Sequence, residues 1–183
     1  MLLSNIQDDV AGRFRTPGEF VRVGSHIVPK SEEIAERIQN MFTEYDVQSN
    51  ISIARRIAKL HLTFEYIHPF IDGNGRIGRA INNYLLIREG YVPINIKFID
   101  RARYYDAFKE FQEKDKTVIM EEIVARAITN SYHKRLAYLE NKKIVSLAEY
   151  AKLQKISHAN GINKAKRQTI EAFLEKGVWK IGV

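Results

Sequence analysis

The run His68-Pro69-Phe70-Ile71-Asp72-Gly73-Asn74-Gly75-Arg76-Ile77-Gly78-Arg79 holds most of the chemistry that this chain can offer. His68 is the only side chain in it that works as a base near neutral pH. Asp72 supplies the kind of oxygen that holds Mg2+ jointly with a phosphate. The glycines let backbone N–H groups approach a ligand with no Cβ in the way. Apolar spacing predicts a helix over 76–89 that stops at Gly90. The glycines therefore fall at a helix N-terminus, where unsatisfied N–H groups and the dipole favour an anion. Arg76 and Arg79, one helical turn apart, project towards that same anion. A polyphosphate site with its own base uses every polar residue of the run.

Simpler readings compete. Gly73, Gly75 and Gly78 match a dinucleotide fingerprint, which needs a preceding strand inside a βαβ unit. Ile53, Ile57, Leu60, Phe64 and Ile67 are spaced as a helix instead. The run from Asp72 opens like a calcium loop, but Arg76 and Ile77 stand where an oxygen ligand and a glycine are required. A tight turn between helices, with His68 a satisfied buried histidine, stays open. It leaves Asn74, Arg76 and Arg79 without a task.

The run resembles the signature of the Fic family (Fic/Doc fold), His-x-Phe-x-(Asp/Glu)-Gly-Asn-Gly-Arg-x-x-Arg, at every fixed position. The likeness extends over about 12–128 and takes in Gly90-Tyr91-Val92-Pro93, Asp100-Arg101 and Tyr104-Tyr105. It implies a mainly α fold, a helical bundle with a short β-hairpin flap, and an enzyme that moves AMP from ATP to a Tyr, Thr or Ser hydroxyl of a target protein. In that picture His68 is the catalytic base, and Asp72 holds Mg2+ between the α- and β-phosphates. Gly73, Asn74 and Gly75 bind the phosphate chain through backbone N–H groups and the Asn74 carboxamide. Arg76 and Arg79 hold the β- and γ-phosphates, and a tyrosine of the pair Tyr104 and Tyr105 faces adenine. Gln112 stands where many members carry an Asn that contacts the base. Gly75 stands where the phosphate-transferring Doc branch has Lys, which favours adenylylation. The same residues would serve removal of AMP, or a nucleotide-sensing regulator that binds DNA.

Many Fic proteins also silence themselves through (Ser/Thr)-x-x-x-Glu-(Gly/Asn), whose Glu pairs with the second arginine. The nearest pieces here are Thr117 to Glu121, followed by Glu122, and Leu136 to Glu140 and Asn141. Neither is a full match. A separate inhibitor protein, with Arg79 as its contact, is one consequence; a missing N-terminal region or an unrestrained enzyme are the others.

The chain has 183 residues, 45% of them apolar, enough for one core domain and a small appendage. We expect a Fic core over 1–141, with the flap near 20–29, and a module over 142–183. No apolar run approaches the ~18 residues of a membrane span. Asp8 and Asp9 do not fit an export leader, and there is no cysteine; a cytoplasmic protein is the expectation. Lys and Arg number 29 against 22 acids, and residues 134–183 hold 11 basic and 4 acidic groups. The excess charge thus lies in the last quarter, which suggests an acidic partner.

Along the chain, Gly24-Ser25 marks a hairpin. As the flap of the resemblance it would clamp a target segment by strand pairing, with His26 a surface turn residue. Ser31 caps a helix with Ile34, Ile38, Met41 and Phe42 on one face. A second helix over 52–67 delivers His68; His61, two turns earlier, could pair with it on a metal, but with no third ligand placed it reads as a packed or exposed helix residue. The signature helix carries Ile77, Ile81, Tyr84 or Leu85, and Leu86 inward. Helices over 100–112 and 117–141 follow, the latter with Val118, Ile119, Ile123, Ile128, Leu136 and Leu139 as core positions. Ser146 and Glu149 form a capping box. A turn near Ile156-Ser157, a basic segment over 163–169 and a strand over 177–181 complete a tail that resembles a small winged helix-turn-helix. With its charge it could contact DNA phosphates, or mediate dimerisation or target choice.

Overall fold

The computed structural model describes residues 11–23, 26–96 and 101–183; the expected turn at Gly24-Ser25 and the start of the 100–112 helix at Asp100 lie outside them. The chain divides into two compact units, Met1–Tyr91 with Ile96–Val124, and Val92–Asn95 with Ala125–Val183.

In the first unit, strands β1 (Arg22–Val23) and β2 (His26–Ile27) pair antiparallel, Arg22 opposite Ile27 and Val23 opposite His26. The 3-10 turn Ser31–Glu33 leads into α1 (Ile34–Val47). Ser31 Oγ donates to Glu32 rather than capping the helix. α2 (Ile53–Ile67) starts on Ser52, whose side chain accepts from Arg55 N. It is the central element, buried on most sides through Ile57, Leu60, Leu62, Phe64 and Ile67. Burying several such side chains contributes on the order of 1.5–3 kcal/mol each before chain entropy is counted. Arg56 is buried with them, because its guanidinium donates to Tyr45 O and to both oxygens of Glu89.

α3 (Asn74–Arg88) packs on α2, and its buried face is not the expected apolar stripe. Gly78, Asn82, Leu85 and Leu86 are buried, while Tyr84 is exposed. The cause is close approach: a Cβ on Gly78 would stand 3.1 Å from Phe64 Cδ1. The helix ends where Gly90 takes φ 80° and Tyr91 N donates to Leu86 O, a left-handed stop. α4 (Arg101–Lys114) follows.

α5 (Val118–Leu139) belongs to the first unit as far as Val124 and to the second from Ala125. Its buried residues include Met120, Ile123, Val124 and Ala137, whereas Val118, Leu136 and Leu139 are exposed. The second unit starts earlier than the expected 142. Within it Asn130 Oδ1 accepts from Leu174 N at 2.6 Å, His133 Nδ1 lies 3.1 Å from Ala172 O, and Ser131 donates to Pro93 O.

β3 (Ile144–Ser146), α6 (Leu147–Leu153), α7 (His158–Arg167), β4 (Ala172–Glu175) and β5 (Val178–Gly182) complete this unit. The antiparallel sheet has the order β3-β5-β4. Lys176 and Gly177, both at positive φ, join β4 to β5 in the two-residue turn that suits strand twist. Val145, Leu147, Ala165, Ala172 and Ile181 form its core. No helix among the described residues is long and apolar enough to cross a membrane.

Candidate nucleotide site

α2 ends at His68, which takes a left-handed conformation, φ 47° and ψ 62°. For a residue with a Cβ this costs about 1–2 kcal/mol, so its surroundings must hold it. His68 N donates to Phe64 O at 2.9 Å, and His68 O accepts from Arg15 Nε at 2.8 Å. Arg15 is buried and also donates to Pro29 O and Ile67 O, while its own N–H donates to Pro69 O. One guanidinium thereby joins the flap's trailing segment, the helix end and the loop. Arg15 is not readable from the sequence, because its partners at the end of α2 lie more than fifty residues away.

The His68 side chain is 16% exposed and borders a hollow of about 270 Å³. Asp72, Gly73, Asn74, Gly75, Arg76 and Arg79 line the same hollow. Burial lowers the His68 pKa from the usual histidine value, opposed by the bond to Glu65 O, which raises it. The imidazole is therefore neutral at pH 7, as a base must be.

Gly73 precedes α3 at φ 83° and provides no side chain to cap it. Its N–H donates to Asp72 Oδ1 at 2.6 Å, and its carbonyl accepts from Arg76 N and Ile77 N. The amides of Asn74 and Gly75 begin the helix and have no carbonyl a turn earlier to meet. Asp72 Oδ2 and Arg76 Nη2 form an exposed ion pair at 3.2 Å, which is weak in water. Arg79 lies back over the first turn: Nη1 is 3.3 Å from where a Cβ on Gly75 would stand. Among the described residues it forms no ion pair, although Glu65 feels its charge. One exposed carboxylate beside an anion-sized hollow fits a hard cation shared with phosphate. No cluster of three His, Cys, Asp or Glu ligands occurs among the described residues.

Two expected contacts differ. The Asn74 carboxamide is buried and turned onto its own loop, Oδ1 accepting from Phe70 N at 3.0 Å and Nδ2 donating to Phe70 O at 2.7 Å. Both ends of the amide thus shape the loop. Tyr104 and Tyr105 do not line the hollow. The Tyr104 hydroxyl meets His61 Nε2 at 2.6 Å, and His61 Nδ1 meets Asn82 Nδ2 at 3.0 Å. Burial, then the Arg79 charge, pushes His61 down to about 4, so it is a neutral packing residue. Tyr105 stays 54% exposed.

His26 is no turn residue: it sits in β2, stacks on Tyr66 at 4.2 Å and bonds to Tyr66 O at 2.9 Å. Thr117 Oγ1 donates to Glu121, which pairs with Arg55 at 3.6 Å. Glu65, absent from the sequence reading, is buried one turn before His68 with Oε2 3.6 Å from Nδ1. Its i,i+3 spacing to the base was the available signal.

The Fic/DOC family pattern matches residues 1–86. A protein adenylyltransferase Fic from Nematostella vectensis is 36% identical over 108 residues, covering 57% of this chain and 25% of that protein. The solved Fic-1 from C. elegans shares the fold at a TM-score of 0.64 with 25% identity, over 76% of this chain and 41% of that one. A Fic family protein from Desulfovibrio desulfuricans G20 aligns with 100% of this chain and 65% of its own, at a TM-score of 0.59 and 18% identity, a likeness of fold alone. The chain spans about a quarter of the length of the curated relatives it matches. Signature, fold and relatives agree in their likeness: residues 1–86 match the Fic/DOC family, and the relatives and solved folds similar to this chain are Fic proteins.

Proposed function

We propose that this chain transfers AMP from Mg-ATP to a Tyr, Thr or Ser hydroxyl of a target protein. The observation that carries the reading is the neutral His68 bordering one hollow with an uncapped helix start, Arg76 and Arg79. His68 accepts the hydroxyl proton, the oxygen bonds to the α-phosphorus, and the bond to pyrophosphate breaks with its electron pair leaving on pyrophosphate. The amides of Asn74 and Gly75 and the two guanidinium groups offset charge gathering on the phosphate oxygens. Asp72 would hold Mg2+, which when bound neutralises phosphate charge. The target segment adds as a strand at the β1–β2 hairpin, beside exposed Phe20 and Ile27. A cytoplasmic setting supplies ATP and Mg2+ together. Arg79, in no ion pair among the described residues, is the contact for a separate inhibitor bearing a carboxylate.

Purified protein is incubated with a lysate and with ATP labelled at the α- or the γ-phosphate. Protein labelled only from the α position is expected; label only from γ means a kinase, and no label overturns the reading. Adding labelled product back and following AMP release separates transfer from removal.

A second reading concerns the second unit. α6 and α7 are joined by residues 154–157, and a Cβ on Gly161 would lie 3.6 Å from Leu147 Cγ. α7 exposes Asn160, Asn163, Lys164, Lys166 and Arg167. That basic face beside a β4–β5 hairpin supports a winged helix-turn-helix laid on duplex DNA. Duplex binding that weakens steeply with salt, and weakens when Lys164, Lys166 and Arg167 become Ala, is the expected result.

A further inference from the structure

Among the described residues, Glu65 is the charged side chain with a buried oxygen, Oε1, lacking any hydrogen-bond partner. Leaving such an atom unmet is costly, and it lies under the signature loop. A Cβ on Gly78 would stand 3.4 Å from Oε1, and a Cβ on Gly75 3.7 Å. Both are ordinary contact distances, so the carboxyl lies directly against the first turns of α3. Its other oxygen, Oε2, is 3.6 Å from His68 Nδ1, which also lies 3.3 Å from the Glu65 carbonyl oxygen. A carbonyl only accepts, so that bond needs the proton on Nδ1 and leaves the Nε2 lone pair for a substrate.

We propose that Glu65 is a positioning residue for the transfer reaction: it favours the Nδ1–H tautomer of His68 and stabilises the imidazolium formed when Nε2 takes the hydroxyl proton. The Nδ1 proton stays on its nitrogen throughout, so no second transfer is required. A carboxylate oriented on the far side of a base is worth much of the base's effect in other hydrolytic and transfer sites. The inference deepens the adenylyltransferase reading and rests on it.

The arrangement has a pH signature. Burial pushes the Glu65 carboxyl up to about 7, opposed by the Arg79 charge. His61 on α2 and Tyr104 on α4 also face it, and both are neutral across that range. Arg15, His26 and Asp72 act on His68. Below about pH 7 Glu65 is protonated and cannot offset an imidazolium; above it the carboxylate is present. Transfer therefore climbs as pH rises through about 7, and Glu65→Gln removes that limb while keeping the side chain's shape.

The test uses the full chain with Glu65→Gln and Glu65→Asp. With α-labelled ATP, Glu65→Gln is expected to lower kcat about tenfold or more, within the ~100- to 10,000-fold that base assistance supplies, with KM for ATP unchanged. Glu65→Asp, which keeps the charge, restores part of the rate and the pH limb. Independently of activity, ring-nitrogen NMR of His68 in the nucleotide-free protein should show Nδ1 protonated and an inflection near pH 7 that Glu65→Gln abolishes. Identical His68 titrations in wild type and Glu65→Gln overturn the proposal, even with transfer intact. An altered titration in a protein that labels nothing leaves the coupling standing and sinks the transferase reading instead. Should Glu65→Gln fail to fold, Glu65→Asp carries the same titration, expected as a displaced inflection and refuted by an unmoved one.

Discussion

Two helices of this protein begin in opposite ways. α6 starts on Ser146, whose hydroxyl accepts from Glu149 N while the Glu149 carboxylate accepts from Ser146 N at 2.8 Å. That reciprocal pair closes the helix end upon itself. α3 starts on Gly73, with no side-chain cap bond at its first turn. The nearby groups that could have closed it are engaged elsewhere: Asp72 on Gly73 N and Arg76, Asn74 on Phe70. Donors satisfied from within serve stability, and donors left open serve a ligand. The contrast locates the site as the place where local rules are broken and the surroundings, Arg15 above all, hold the break open.

The comparison is tested most severely at its base. His68→Ala should lower AMP transfer by about 100-fold or more while ATP still binds and the melting temperature holds, since His68 borders the hollow rather than the core. Loss of nucleotide binding together with transfer would mean that His68 shapes the loop and the contrast is misdrawn. Arg79→Ala comes next. It removes a cation that no carboxylate engages among the described residues, and charge-assisted bonds to phosphate contribute about 1.5–3 kcal/mol. ATP affinity, read by calorimetry, should fall by roughly 10- to 100-fold. An unchanged affinity would remove Arg79 from the phosphate site.

Asn74→Ala sharpens the same point from the inside. Its carboxamide meets both backbone groups of Phe70, so its loss should destabilise the nucleotide-free protein by about 1–3 kcal/mol. Chemical denaturation without ATP decides: a phosphate ligand alone would leave apo stability unmoved.

What the sequence made legible was local. The helix start behind the glycines of the 68–79 run, the Gly90 stop of α3 and the Ser146-Glu149 box all depend on residues close in sequence, and each is found in the expected place. Long-range facts were not readable. Asn74 has the right type for an anion loop, and only the folded loop turns it inward. The Tyr104 hydroxyl is committed to His61, forty-three residues earlier. β3 has three residues, and β4 buries Ala172, Phe173 and Leu174 in succession, so neither shows the alternation by which a half-buried strand is recognised. Glu65 is an ordinary surface-type residue on a helix until α3 covers it.

The smallest predicted effect falls on the closed end. Ser146→Ala removes the hydroxyl that accepts from Glu149 N and donates to the Glu149 carboxylate, leaving only the backbone half of the box. N-cap losses of this kind cost about 1 kcal/mol. In a unit held by a small cluster of Val145, Leu147, Ala165, Ala172 and Ile181, thermal unfolding should move down by a few degrees. AMP transfer by the same protein at 25 °C should be unaffected, because no residue bordering the hollow belongs to this unit. A drop in transfer comparable to that of Arg79→Ala, without a matching loss of stability, would show that the capped helix start communicates with the open one. Stability lost with transfer kept is the outcome that separates a helix end built to be finished from one built to be completed by a nucleotide.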